Sequence, residues 1–194
     1  METQKRPGGR SARVRDAVRA ATLAELAEHG YQGLSVDAVA QRSGVHKTTV
    51  YRRWRSPEGL IADALDLAAA EPWPIPDTGT LAEDLRALTE LVRTGFADPE
   101  AGPVASAFIA AAMQNSAAAT ALHDFYQARH RQSAELVRRA VDRGDLPSTV
   151  DAEQIVRFAV APIFYRLFIS REPVTAEDAR VAADAALAAA RALS

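Results

Sequence analysis

An all-α fold is predicted for this chain on three observations. Apolar residues recur at three- and four-residue spacing along most of the length, and no stretch alternates convincingly as a half-buried strand would. Ser, Thr and Asp stand repeatedly just ahead of these stripes, where a side-chain oxygen caps a helix start. Gly and Pro fall between the stripes, at Gly30, Gly44, Gly144 and the three prolines Pro72, Pro74 and Pro76. Nine helices are expected, as a three-helix head with a helix–turn–helix followed by a C-terminal helical bundle. The predicted divisions are a disordered basic arm at 1–10, the head at 11–56, a linker helix and Pro-rich loop at 57–79, and an effector-binding and dimerisation domain at 80–194.

Composition narrows the classes. A chain of 194 residues can bury a sizeable core. Without Cys there is neither a disulfide framework nor a Cys-based zinc site. No apolar run reaches the ~18–20 residues of a membrane span. The opening METQKRPGGR lacks the apolar core of a signal peptide, so a cytoplasmic protein with no membrane partner is expected. The net charge of −2 hides an asymmetry, because residues 1–60 carry +5 and residues 61–194 carry −7. A basic head on an acidic body suits a protein that presents one end to a polyanion.

Taken in order, Lys5, Arg6 and Arg10 lie among Pro7, Gly8 and Gly9. This is either a basic arm for phosphates or a minor groove, or a tail without a role. Ser11 is the expected cap of a first helix ending near His29, with Val14, Val18, Ala21 and Leu26 inward and Gly30 as its stop. Residues 35–54, SVDAVAQRSGVHKTTVYRRW, read as two short helices around a tight turn. Ser35 caps the first, whose apolar face is Val36, Val39 and Ala40, and Gly44 supplies the positive φ of the turn. The second carries Lys47, Thr48, Thr49, Tyr51, Arg52, Arg53 and Arg55 around two apolar anchors, Val50 and Trp54. His46 caps it, touches DNA or is simply exposed. A helix so short and so polar gains little stability alone. Its outer face suits the phosphates and base edges of a DNA major groove.

In that reading Lys47 reaches a phosphate or a guanine, and Thr48 and Thr49 meet base edges, including the thymine methyl. Arg52 reaches bases or backbone, while Arg53 and Arg55 hold backbone. Ser35 opens a helix whose first amides can bind a phosphate, although Asp37 would repel one if it faced the same way. Ser56-Pro57-Glu58 then supplies a cap, a first-turn proline and an acid for a helix over about 57–70, with Leu60, Ile61, Ala64, Leu65 and Ala68 inward. A dimer follows from recognition physics, because one helix reads few base pairs and a two-fold pair reads two half-sites.

The order Gly30-Tyr31, Leu34-Ser35-Val36, Val39-Ala40, Gly44-Val45, Lys47, Thr49, Tyr51, Trp54, Ser56, Glu58 and Leu60 resembles the DNA-binding half of the TetR family of bacterial transcriptional regulators. The match spans about residues 12–65. It departs at His46, where the family more often has Ser, and at Leu26 and Trp54, where Phe is common. The resemblance implies a phosphate contact from the Tyr51 hydroxyl and a helix at 57–70 that links head to body. It also implies a homodimer on a palindromic double-stranded DNA operator, and a ligand-responsive repressor with an unknown small-molecule effector. Gly144-Asp145-Leu146 and Pro162–Leu167 in the body are similar to a C-terminal domain found in one branch of that family.

Past the prolines, with Trp73 and Ile75 expected to be pinned to the body, helices are predicted from Thr80 and from Asp98-Pro99. Others are predicted over about 117–143, from Asp151, and from Thr175. Over 152–169 one side carries Val156, Val160, Ile163 and Leu167 and another carries Phe158, Ala161, Tyr165 and Phe168, so that helix must be covered on more than one side. Half of residues 175–194 are Ala. These two helices either complete a monomer core or form a four-helix dimer interface, with Val156, Val160, Ile163, Leu167, Val181, Ala185 and Ala189 as the residues assigned to it. Pro162 removes the N–H that would bond the Phe158 carbonyl, and so either kinks the helix to shape a cavity or only fits the bundle.

Effector-pocket candidates are Phe96, Phe108, Met113, Phe125, Tyr126, Phe158, Tyr165 and Arg166, with Gln114 or Asn115 as further polar anchors, against a strong alternative that they are plain core. His123 and His130 share a face but lack a third ligand, so no metal or other cofactor is expected. No catalytic constellation is present: there is no G-x-S-x-G, no phosphate-cradling glycine loop and no Cys nucleophile. The alternative function is a helical small-molecule-binding protein with little DNA-binding role, against which the basic face of the head argues.

Overall fold

The computed structural model describes residues 9–193. The expected basic arm therefore lies outside the described residues, apart from Gly9 and Arg10, where the first helix begins. All regular structure among the described residues is helical. The order is α1 (Arg10–Gly33), α2 (Val36–Ser43), α3 (Lys47–Trp54), α4 (Pro57–Ala70), α5 (Leu81–Ala97), α6 (Ala101–Ala112), α7 (Ser116–Ser133), α8 (Glu135–Asp142), α9 (Ala152–Phe164), a π-helical segment (Tyr165–Ser170) and α10 (Ala176–Ala192). Nine helices become ten because the one expected over 117–143 divides at Ala134. Pro103 lies in the first turn of α6, where a missing N–H costs nothing, and leaves the helix regular.

The chain divides into two compact units. The first joins the described part of Met1–Ala70 to Pro99–Phe125. Val18, Leu26, Val39, Val50, Leu60 and Ile61 are almost wholly buried at its centre. Phe108 and Ala111 of α6 and Ala118 of α7 belong to the same core. Residues 99–125 therefore pack with the head rather than with residues 80–98, across the boundary expected at 79/80. Periodicity reveals that α6 buries a face but not against which neighbour. Arg15 ties α1 to α4, with Nε 2.8 Å from Asp63 and NH2 2.6 Å from Asp66. Arg42 ties α2 to α1 through Glu25, at 2.6 Å, and Glu28.

The second unit comprises Glu71–Asp98 and Tyr126–Ser194, described to Leu193. Leu85, Leu88, Leu136, Val137, Ile155 and Val156 form its core. Small side chains let α10 lie close on α5 and α9, through Ala179, Ala182, Ala183, Ala186 and Ala190. Three caps read from sequence are present in this unit. Thr80 accepts from the Glu83 N–H, Asp151 from the Gln154 N–H, and Thr175 and Asp178 form a reciprocal capping box. The Pro-rich loop is pinned as expected. The Arg129 guanidinium lies 4.7 Å from the Trp73 ring centre, Ile75 packs on the core, and Arg139 pairs with Asp77 at 2.9 Å.

Pro162 is followed by the π-helical segment rather than a simple kink. The Tyr165 N–H is shared between the Ala161 and Pro162 carbonyls, and the Arg166 carbonyl accepts from Arg171 and Glu172. The wider turn absorbs one extra residue, so the side chains beyond it rotate relative to an α-helical pattern. Phe168, expected beside Phe158 and Tyr165, instead packs edge-on against Phe96 at 5.3 Å, and Ile169 faces outward at 63% exposure.

Candidate nucleic-acid interface

Two short helices and their turn set the site. Ser35 caps α2, its Oγ accepting from the Ala38 N–H at 3.1 Å. Gly44 ends α2 at φ 67°, the left-handed conformation the turn requires. Val50 and Trp54 sink into the core, fixing the rotation of α3. That rotation leaves Lys47, Thr48, Arg52, Arg53 and Arg55 exposed, Tyr51 40% exposed and Thr49 half-buried. All seven outward candidates of the second helix are thus on or beside one short cationic element.

His46 occupies the cap position of α3 but makes no side-chain cap bond; its Nδ1 lies 2.9 Å from Thr48 Oγ1. Ser11 is not the cap of α1, because the helix starts two residues earlier with Gly9 in that position. Its hydroxyl instead accepts from Arg53 NH1 at 3.2 Å, and the same guanidinium lies 4.9 Å from the Trp54 ring centre. Ser11, Val14, Thr49, Arg52 and Arg53 line an open groove of about 600 Å³ with two guanidinium groups on its wall. Such a groove can take a phosphate through the bidentate donors of Arg.

Lys47 Nζ lies 2.8 Å from Asp37 Oδ2 and 5.5 Å from the centre of the Tyr51 ring. Its hydrogen bond holds the Asp37 carboxyl below the ordinary aspartate range, and the Tyr51 phenol lowers it further. The same carboxylate raises the Lys47 ammonium and the Tyr51 phenol above their ordinary values. Lys47 is therefore charged and Tyr51 protonated at neutral pH, as phosphate donors need to be.

The end of α3 is fixed to α4. Arg55 adopts φ 64°, ψ −42°, and the Ser56 hydroxyl accepts from the Gly59 N–H at 3.3 Å. A Cβ at Gly59 would lie 2.0 Å from the Trp54 carbonyl oxygen. The Tyr31 hydroxyl donates to Glu58 at 2.9 Å.

A buried three-helix core with a rigid, outward-facing cationic second helix of a helix–turn–helix defines a DNA-binding protein. Residues 18–64 match the family model described as bacterial regulatory proteins, tetR family, and residues 75–186 match the tetracyclin repressor-like C-terminal domain. The chain belongs to the TetR family of transcriptional regulators. It is 31% identical over 160 residues to the HTH-type transcriptional regulator YdeS of Bacillus subtilis, covering 81% of this chain and 80% of that one. It is 32% identical over 148 residues to the regulator AqdR of Rhodococcus erythropolis, covering 76% and 70%. Among solved structures it resembles the TetR family transcription regulator SCO0332, with a TM-score of 0.70, 31% identity and coverage of 90% and 97%. It also resembles the structure described as a SmeT–triclosan complex, with a TM-score of 0.61, 17% identity and coverage of 91% and 90%.

The pocket candidates divide between the two units. Phe108 and Phe125 belong to the core of the first unit, and Met113 is 76% exposed. Phe158 and Tyr165 point outward, and Arg166 is paired with Glu172 at 3.0 Å and Asp178 at 3.5 Å. Phe96 and Tyr126 share an aromatic cluster in the second unit with Phe164 and Phe168, all edge contacts to Phe96 or Phe164 being 5.3 Å. Phe164 was not counted although it lies one α-helical turn beyond Val160, and Phe168 was placed on the wrong side because the π turn changes the register. Polar neighbours missed in the sequence are His130, stacked 6.3 Å from Tyr126, and Arg157, which donates to Gln127 at 3.3 Å and pairs with Glu153 at 3.1 Å.

The interface residues separate too. Val156, Val160 and Ile163 are buried within their own unit and present no surface to a partner, and Leu167 is half-buried. The stripe assigned to the dimer interface is the inward one, as in the alternative of a monomer core. The outward stripe is Phe158, Ala161, Tyr165 and Ile169, beside Val181 and Ala185 of α10, with Ala189 half-buried. Among the described residues no group of three or more His, Asp or Glu is arranged for a metal, and no helix is long and apolar enough to cross a membrane.

Proposed function

We propose that this regulator is a homodimeric, ligand-responsive repressor in the cytoplasm. On this reading its two α3 helices enter successive major grooves of a pseudo-palindromic operator. The support is the exposed face of α3, a cationic, hydroxyl-bearing surface held rigid by Val50 and Trp54. Lys47, Thr48, Thr49 and Arg52 read or approach base edges. Ser35, Tyr51, Arg53 and Arg55 hold phosphates. The outward apolar stripe of α9 and the π-helical segment, with Val181 and Ala185 of α10, is the proposed dimer surface, because an exposed row of this kind calls for a partner. The aromatic cluster of Phe96, Tyr126, Phe164 and Phe168 is the proposed wall of an effector site. An effector with unequal affinity for two dimer states would then shift the population away from half-site spacing. No enzymatic role is proposed, since the family's task is transcriptional regulation.

Selection of bound fragments from random duplexes tests this. Two inverted half-sites, centred about 10 base pairs or a multiple apart, are the expected outcome. Enrichment of single half-sites, or of none, would overturn the dimeric reading.

A further inference from the structure

The two groups best suited to grip DNA at the start and middle of α3, Lys47 and Tyr51, are not independent of each other or of Asp37. Asp37, in the first turn of α2, holds Lys47 Nζ at 2.8 Å and interacts with the Tyr51 phenol, and Lys47 in turn sits over the Tyr51 ring. Carboxylate, ammonium and phenol thus form one exposed cluster on the α3 face. An ionised carboxylate only accepts hydrogen bonds, so it cannot bond a phosphate and repels one nearby. A phosphate that takes Lys47 as its partner must either displace Asp37 or sit against it.

We propose that Asp37 is a specificity-determining residue, which binds Lys47 so that its ammonium is withheld from phosphates in general and kept for the groove edge of the operator. The argument rests on the DNA-reading assignment of α3. Phosphates are the same at every register of a duplex, whereas base edges are not. A group that weakens Lys47 as a phosphate ligand therefore penalises every wrong register. In the correct register Lys47 can extend past the carboxylate to a guanine O6 or N7, keeping Asp37 as its second partner. Tyr51, with a single donor, is divided between Asp37 and phosphate and is released where the backbone is correctly placed. The ion pair is exposed, so it is labile enough to rearrange on binding and contributes little to folding.

The test compares wild type, Asp37→Asn, Lys47→Ala and the double variant. Affinity is measured for a selected operator duplex and for a random-sequence duplex of equal length, across a salt series. Asp37→Asn is expected to tighten random-duplex binding about threefold or more and steepen its log–log salt slope by about 0.9, one extra phosphate contact. Operator affinity should gain less, so the operator-to-random ratio falls. In the Lys47→Ala background the same substitution should leave the salt slope unchanged and tighten random-duplex binding clearly less, since the ammonium it would free is absent and only the weaker effects on Tyr51 and on local repulsion remain. Equal tightening on both duplexes, or an undiminished effect without Lys47, would mean that only net charge matters, and the proposal fails. Loss of all DNA binding in the wild type would instead remove the assignment of α3 itself.

Discussion

Arg55 and Gly59 show how much of the reading surface depends on backbone chemistry at single positions. Arg55 occupies positive φ without being Gly or Asn, a conformation that costs of order 1–3 kcal/mol. Arg55→Gly is expected to stabilise the protein by about 1 kcal/mol and raise its melting temperature by about 2–4 °C. If Arg55 holds a phosphate, the same substitution flattens the salt slope of DNA binding by about 0.9. Opposite signs in a melt and a salt titration would establish that the strain serves binding. Gly59→Ala should do the reverse. Its Cβ meets the rigid Trp54 carbonyl, forcing a shift worth about 1–3 kcal/mol, and the melt should register it. Gly44 was legible in the sequence because a glycine after an apolar stripe signals positive φ. Arg55 was not, since nothing in its chemistry advertises that conformation. The Lys47–Asp37 pairing was equally hidden, being a contact between two helices.

Among the elements, helix existence, the caps at Thr80, Asp151 and Thr175, and the pinned Pro-rich loop followed from local patterns. The faces of α9 did not. Its two apolar sides were visible, but burial decides which is inward, and the π turn re-aims the side chains beyond Tyr165. That turn also brings Phe168 against Phe96 and Phe164, in the cluster near Tyr126 and His130. Burial pushes His130 below the ordinary histidine value, nearby Arg157 lowers it further, and Glu153 partly offsets both. The unfolded chain then binds a proton that the native state refuses. Stability from this group is complete above the ordinary value of about 6.5, and is lost as pH falls from there toward the lower native value. Thermal melts between about pH 7 and pH 5.5 should therefore fall with acidification, and His130→Gln should flatten that fall. Carboxylates with lowered values, such as Glu90 and Asp178, act below this window. An unchanged slope in the variant would show that His130 titrates alike in the folded and unfolded chains.

For the molecule as a whole, family, fold and the paired short helices α2 and α3 were all accessible from residue order, because each depends on short-range spacing. Assembly depends on which surfaces remain bare after folding, and spacing does not report that. Tyr165, at 59% exposure, and Val181, at 52%, are the residues to test. Tyr165→Glu combined with Val181→Glu should yield a monomer in sedimentation equilibrium with its helical circular dichroism intact. Binding to a full operator should then drop to that of a single half-site. A dimer that survives both charges would place self-association on another surface. The packing of α6 beside α1, with Ala118 of α7 in the same core, bears on how such proteins can be recombined. The DNA-reading module is not one uninterrupted piece of the gene. A fragment cut after Ala70 would strip Phe108, Ala111 and Ala118 from their seats and leave an oily scar on α1. A chimera that borrows this head must borrow residues 99–125 with it, or choose a recipient whose own α6 has the same relief.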